Sequence, residues 1–389
     1  MQRIILFCLL ITVGQFATVI YLPSMPVITQ QLHASDTVIQ LTLTLYMLTF
    51  GLSQLIYGPL SDVVGRKRLM IAGMVLYILS SLASAVAMNG AFLLVARLFE
   101  GLGAGGITSL TRASVNDHYT GAKLTHVLSY TAIAASLTSM FAPVIGGFMQ
   151  SFFNWRANFI FLVIWTLLML LLTLWRIQDK HQPQPAKHLV RDSLQTYAEL
   201  FRHREFVLNV LAGGLAFSGI TGYYVASPFL FQQQLHLSPH TYGLTFLGSS
   251  GAFVLGSMMN RHVHQETVRR YLGVVILLGS SVVLLIPALL GILTFWWFLL
   301  PAMGYMVGAG IIYPTCMASA VRLFKKRAGT AAAVFGCMQV CCAALATAVV
   351  AVLPHQTQTG YASFVTVVSF MVVVLIIIAI HHHKTPQNF

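Results

Sequence analysis

The chain has 389 residues, 57% of them hydrophobic and only 8% charged, with a mean hydropathy of +0.79. Soluble domains carry about 25% charged residues, so these few charges cannot cover a water-facing surface, and a water-phase protein or enzyme is excluded. The 22 basic and 9 acidic residues give a formal charge of +13, which on a soluble protein would point to nucleic acid; here the placement of the charges points elsewhere.

Apolar runs long enough to cross a bilayer core of roughly 30 Å recur along the chain. They predict an all-α integral membrane protein with spans at 4–22, 39–58, 69–88, 91–111, 124–149 and 158–176, then 206–229, 240–259, 270–291, 295–317, 328–353 and 361–380. The first run lacks a small-residue cleavage site and leads into another span, so it is read as span one and not as a signal peptide. A polar stretch, 177–205, with Pro183 and Pro185, divides the chain into six-span halves at 1–176 and 206–389. Within it, Leu189 to Phe206 reads as a surface helix with Leu194, Tyr197, Leu200 and Phe201 on its apolar side.

The basic residues set the orientation. With the N-terminus inside, the inner segments hold Arg3, Arg66, Lys67, Arg68, Arg112, Lys123, Arg176, Lys180, Lys187, Arg191, Arg202 and Arg204. Arg261, Arg269, Arg270, Arg322, Lys325, Lys326, Arg327 and Lys384 follow on the same side. Both termini are therefore predicted cytoplasmic, with the positive charge facing the anionic inner leaflet and no nucleic acid as partner. Gly58 and Asp62 at the end of span two match Gly256 and Asn260 at the end of span eight, 198 residues later, a weak internal repeat. Two related halves suit alternating access around a midplane site.

Between spans two and three lies Gly58-Pro59-Leu60-Ser61-Asp62-Val63-Val64-Gly65-Arg66-Lys67-Arg68. Gly58 and Gly65 are expected to form a tight turn, and Asp62 to cap a helix end or pair with a cation. This stretch resembles the loop signature of the major facilitator superfamily. Arg97-Leu98-Phe99-Glu100-Gly101 on span four, and Pro143, Gly146 and Gly147 on span five, resemble motifs of its drug:proton antiporter branch. Trp155-Arg156 with Phe159 resembles the entry to span six. Tyr21-Leu22-Pro23-Ser24-Met25-Pro26, Leu200-Phe201-Arg202-His203-Arg204 and Ala328-Gly329-Thr330-Ala331 resemble the bicyclomycin/chloramphenicol exporter subfamily (Bcr/CflA). The resemblance implies two six-helix bundles and proton-coupled efflux of drugs or amphipathic molecules through the inner membrane of a bacterium, by a protein functional as a monomer. It also implies a cytoplasmic gate of Gly58, Asp62, Gly65, Arg66, Lys67, Arg112 and Asp117, with Asp117 paired to Arg66 and Asp62 facing span eleven.

The chain departs from this pattern twice. The subfamily carries an acid two positions before the span-one tyrosine, where this chain has Val19; and Glu100 stands where the motif commonly has a neutral residue. Of the nine acids, only Glu100 lies deep in a span, about ten residues from either end, or roughly 15 Å at 1.5 Å rise per residue. A charge there costs at least about 2.5–3.5 kcal/mol and marks function. Burial favours its neutral form and nearby Arg97 its charged form. Glu100 is therefore expected to carry the coupling proton in place of the missing span-one acid. The alternatives are a permanent Arg97–Glu100 ion pair and direct binding of substrate.

Gln15, Tyr46, Tyr130, Tyr223, Tyr224, Tyr305 and Gln339 stand at depths lipid would not favour and are candidate contacts for a small-molecule substrate, neutral, zwitterionic or moderately amphipathic. Gluing helix to helix is the competing role for such residues. The five cysteines show neither metal nor disulfide spacing, and no Walker-type loop implies ATP, so no cofactor or metal is expected. An exporter of one metabolite (a siderophore, amino acid or sugar) and a transport-inactive sensor or scaffold are the other readings. An intramembrane enzyme would need clustered His or carboxylates, which one glutamate does not supply.

Overall fold

The computed structural model describes residues 2–177, 189–324, 327–353 and 358–384. Asp179, Lys180, Pro183, Pro185, Lys187, Lys325 and Lys326 lie outside the described residues, as do the side chains of Arg191, Asp192, Leu194 and Lys384.

Hydrocarbon offers no partner to a backbone amide, so a spanning segment must satisfy its own N–H and C=O groups; the described residues accordingly form helices and the turns that join them. They are α1 (Gln2–Val19), α2 (Met25–Gln31), α3 (Asp36–Val64), α4 (Arg66–Ala85), α5 (Gly90–His118), α6 (Gly121–Phe152), α7 (Trp155–Arg176), α8 (Leu189–Arg202), α9 (Arg204–Phe229), α10 (Pro239–His262), α11 (Glu266–Leu289), α12 (Phe295–Arg322), α13 (Ala328–Val352) and α14 (Thr359–Lys384). Polar caps start several of them: Ser35 accepts from the Val38 amide (3.3 Å), Asn89 from Phe92 (2.8 Å) and Asn154 from Arg156 (2.9 Å).

All helices except α2 and α8 coincide with the twelve predicted spans. Among the described residues, eleven are long and apolar enough to cross a membrane. The other, α10, has 24 residues, but Gly, Ser, Thr, His and Asn dilute its hydropathy. Span one does not end at Leu22. α1 ends at Val19, Pro23 lies in a 3-10 turn over Leu22–Ser24, and α2, with Pro26 in its first turn, carries the segment on to Gln31. Asn158 donates to Ser24 Oγ (2.8 Å) and Trp155 Nε1 to Gln31 Oε1 (2.8 Å), holding α2 against α7. The linker helix also differs from expectation: α8 ends at Arg202, His203 interrupts it, and α9 begins at Arg204. Leu200 is buried, Phe201 is exposed, and Glu199 is ion-paired with Arg327.

The structure exposes a repeat stronger than the one read from the sequence. Gln30-Gln31-Leu32-His33-Ala34-Ser35 precedes α3, and Gln233-Gln234-Leu235-His236-Leu237-Ser238 precedes α10, 203 residues later. Both histidines take left-handed backbone, φ 48° and 55°, and both serines accept from the amide three residues on. The Gly58/Gly256 match has an offset of 198 because α10, with 24 residues, is five shorter than α3 with 29.

The chain forms two compact units: Met1–Ser193 with Ser238–Phe246, and Leu194–Leu237 with Leu247–Phe389. In the first, α5 lies between α3 and α4 at very short range. A Cβ on Gly101 or Gly105 would meet backbone oxygens of α3 at 2.3 and 2.5 Å, and one on Gly103 would meet Gly73 O of α4 at 2.7 Å. In the second, α9 packs against α12, α13 and α14.

Candidate coupling and gating sites

Arg97 and Glu100 lie one turn apart on α5, and both are completely enclosed. Arg97 Nη1 donates to Glu100 Oε2 at 2.8 Å and Nη2 to the carbonyl of Ala17 at 2.9 Å. That carbonyl belongs to the last turn of α1, where four C=O groups have no partner within the helix. The guanidinium lies between two rings, 4.2 Å from the centroid of Tyr46 and 4.5 Å from that of Tyr21, with Phe159 at 6.0 Å. Ser81 of α4 donates to Glu100 Oε1 at 2.7 Å. Glu100 thus faces the bundle interior, and each of its oxygens has a partner.

The sequence did not disclose Ser81 or the role of Tyr21. Tyr21 stood in a motif, but what it stacks on depends on how α1 crosses α5. Ser81 is one of several serines on α4, and only the crossing of α4 and α5 singles it out. Val19 is buried and apolar. Glu100 is therefore the counter-charge of the Arg97 guanidinium, approached from α5 itself and not from span one.

At the basic end of the same unit, Arg66 Nε lies 2.9 Å from Asp117 Oδ2, and Arg66 Nη2 lies 3.5 Å from Asp62 Oδ1. Lys67 Nζ donates to the carbonyl of Leu174 at 3.0 Å, tying the start of α4 to the end of α7. Arg112 is exposed on α5. The turn is made by Gly65 alone, at φ 99°, a conformation that favours glycine. Gly58 instead sits inside α3, where an added Cβ would meet nothing within 4 Å, so its expected part in the turn is not required.

Pro143, Gly146 and Gly147 lie within α6. A Cβ on Gly146 would fall 1.7 Å from the Ile20 carbonyl oxygen, and one on Gly147 would fall 2.5 Å from that of Pro239. The motif is a contact surface for backbone, set beside the end of α1 that Arg97 holds.

The seven candidate substrate contacts do not form one cluster. Tyr46 is enclosed over Arg97 and donates to Gly14 O at 2.7 Å, so it supports the ion pair. Tyr223 stacks on Phe298 (6.1 Å) and Tyr305 donates to Ala216 O (3.1 Å), both buried in the second unit as packing residues. Tyr224 is buried as well. Gln15 is half-buried and accepts from Ser139 at 3.3 Å; Gln339 accepts from Tyr313 at 2.7 Å; Tyr130 is 54% exposed. The sequence also gave no warning of a hub in the second unit. Glu266 accepts from Arg270 (2.9 Å), Ser319 (2.7 Å) and Arg322 (2.9 Å), and Arg270 also reaches Asn209 (2.8 Å).

Comparison with known proteins agrees with this architecture. A protein of Escherichia coli (strain K12) named Multidrug resistance protein D is 29% identical over 374 residues, covering 95% of this chain and 93% of that protein. The Chloramphenicol resistance protein of Pseudomonas aeruginosa is 26% identical, covering 87% of this chain and 81% of its own length. The Bicyclomycin resistance protein homolog of Haemophilus influenzae is 25% identical, covering 88% and 87%. The family model described as Major Facilitator Superfamily matches residues 7–347. With helices of spanning length throughout and that model covering most of its length, the chain is a multi-pass membrane transporter and belongs to the Major Facilitator Superfamily.

Proposed function

We propose that this chain exports drugs or other neutral, zwitterionic or amphipathic small molecules across a bacterial inner membrane by alternating access, in exchange for protons taken up at Glu100. It works as a monomer with both termini in the cytoplasm, with bundles at 1–176 and 206–389 joined by 177–205. The names of the relatives support the substrate class. One observation carries the coupling: among the described residues Glu100 is the one fully buried carboxylate, and its charge is balanced by a fully buried arginine. A proton on Glu100 cancels the ion pair, yet Arg97 keeps two ring faces and the Ala17 carbonyl, so its charge stays solvated by the protein. Protonation therefore removes a charge pairing within α5 and weakens the hydrogen bond from Ser81 of α4, while Arg97 keeps its partners on α1 and α3.

Gln15 and Gln339 present amide groups that can hydrogen-bond a polar substrate, and Tyr130 an exposed ring; these three are the proposed substrate contacts. Arg66, Asp117, Asp62, Lys67, Arg112 and the Gly65 turn form the proposed cytoplasmic gate.

The test is uptake of a chloramphenicol and antibiotic panel into proteoliposomes under an imposed pH gradient, wild type against Glu100→Gln. Coupling predicts gradient-driven transport that Glu100→Gln uncouples. A second reading, a permanent structural pair, is favoured by the full occupancy of both carboxylate oxygens. It predicts that Glu100→Gln retains the wild-type dependence on pH.

A further inference from the structure

The structure assigns Cys337 and Cys341 of α13 as a two-thiol site for a trivalent arsenical that carries one organic substituent. None of the five cysteines belongs to the coupling or gating sites. Cys337 and Cys341 stand one turn apart near the middle of α13, and their thiols share a hydrogen bond. Cys337 is enclosed and Cys341 half-buried, so one sulfur is reachable and the other lies directly against it. Cys342, next in the chain, is half-buried too but turns onto α9: its Sγ would lie 3.0 Å from a Cβ on Gly214. Cys316 is enclosed on α12, and Cys8 lies on α1 in the other unit.

Helix geometry selects the ligand. One turn holds two Cβ atoms roughly 5–6 Å apart, whereas a disulfide needs about 3.5–4.5 Å, so direct oxidation of the pair would distort α13. A single atom inserted between the sulfurs removes that conflict. Two sulfurs complete the valence of a trivalent arsenic that already holds one carbon. Inorganic arsenite would take a third thiol, and Zn²⁺ a fuller ligand set. Among the described residues no group of three His, Cys, Asp or Glu is placed to supply them. The reaction is also neutral throughout, which suits a span where charge is costly. Each As–OH bond breaks as an As–S bond forms, and the thiol proton leaves with the hydroxyl as water. R–As(OH)₂ and two thiols thus give R–As(S–Cys)₂ and two waters, with arsenic trivalent before and after. Cys341 reacts first, and Cys337, already against it, closes the ring.

The probe is phenylarsine oxide, added to the purified full-length chain in detergent micelles and read by intact mass; the readout does not depend on transport. Wild type should gain one phenylarsenic bridge per chain that survives a monothiol wash and is removed by 2,3-dimercaptopropanol. Cys337→Ala and Cys341→Ala should each weaken binding about a hundredfold, because the second bond is no longer intramolecular. If Cys337→Ala does not insert, Cys337→Ser gives the same reading. Cys342→Ala, Cys316→Ala and Cys8→Ala should bind as wild type does, and arsenite and Zn²⁺ should leave no adduct after the same wash. The assignment is overturned if wild type keeps no adduct, if Cys337→Ala or Cys341→Ala binds unchanged, or if arsenite is held as firmly as phenylarsine oxide.

Discussion

Removing the carboxylate while keeping its shape tests what holds Arg97 in the protein. In Glu100→Gln the amide still accepts from Ser81, but the guanidinium loses its counter-charge in a place with no solvent. Breaking a buried ion pair from one side costs about 3–5 kcal/mol. The two tyrosine faces flank Arg97 with or without the carboxylate, so they do not offset the loss. The net loss should be about 3–5 kcal/mol, or roughly a hundredfold to a few thousandfold in the folding equilibrium at about 1.4 kcal/mol per decade. Adding Arg97→Met removes the stranded charge, so the double variant should be more stable than Glu100→Gln alone. Equilibrium unfolding in mixed micelles for the two single variants and the double gives the interaction energy of the cycle. A coupling below about 0.5 kcal/mol would refute the reasoning, because it would mean that Arg97 does not depend on Glu100 for its charge balance.

Gly146→Ala should prevent correct insertion or collapse stability, since its Cβ would fall 1.7 Å from Ile20 O, whereas Gly58→Ala should be neutral or stabilise α3 by about 0.5–1 kcal/mol; expression and thermal melts separate the two. Asp117→Asn should leave folding within about 1 kcal/mol, because the pair with Arg66 is partly exposed, yet reduce transport several-fold in the proteoliposome assay. Glu266→Gln should cost about 2 kcal/mol in the same unfolding assay, as a carboxylate serving Arg270, Ser319 and Arg322 is lost. Gln15→Ala and Gln339→Ala should raise the KM for the best panel substrate with little change in melting temperature; unchanged KM in both would remove them from the substrate path.

Most of the fold could be read directly because lipid imposes one rule on every span, and long apolar runs obey it visibly. The reading weakened where another demand was superimposed. The diluted hydropathy of α10 and the proline break in span one are local choices with tertiary reasons. Gly58 looked like a turn glycine because it stands in a loop motif, but the helix runs through it and turns at Gly65. The charged pair was conspicuous as a lone acid at depth beside an arginine. Its cage was not, because Ala17, Tyr21, Tyr46 and Ser81 come from four segments whose crossings no sequence spacing reveals. The tyrosines are harder to place for a related reason. Aromatic side chains with a hydroxyl suit a ligand pocket and a helix seam equally; in this structure Tyr223 stacks on Phe298 and Tyr305 bonds the Ala216 carbonyl.

The glycines of α5 have a mechanical consequence. Where backbone meets backbone on two sides, at Gly101 and Gly105 against α3 and at Gly103 against α4, a helix has no slack in which to slide or roll. The three together behave as one plate, and the buried charges are bolted to it. Whatever displacement accompanies a turnover must fall on helices fitted to that plate less tightly, so distance probes placed between α3, α4 and α5 should record a constant separation through the whole cycle.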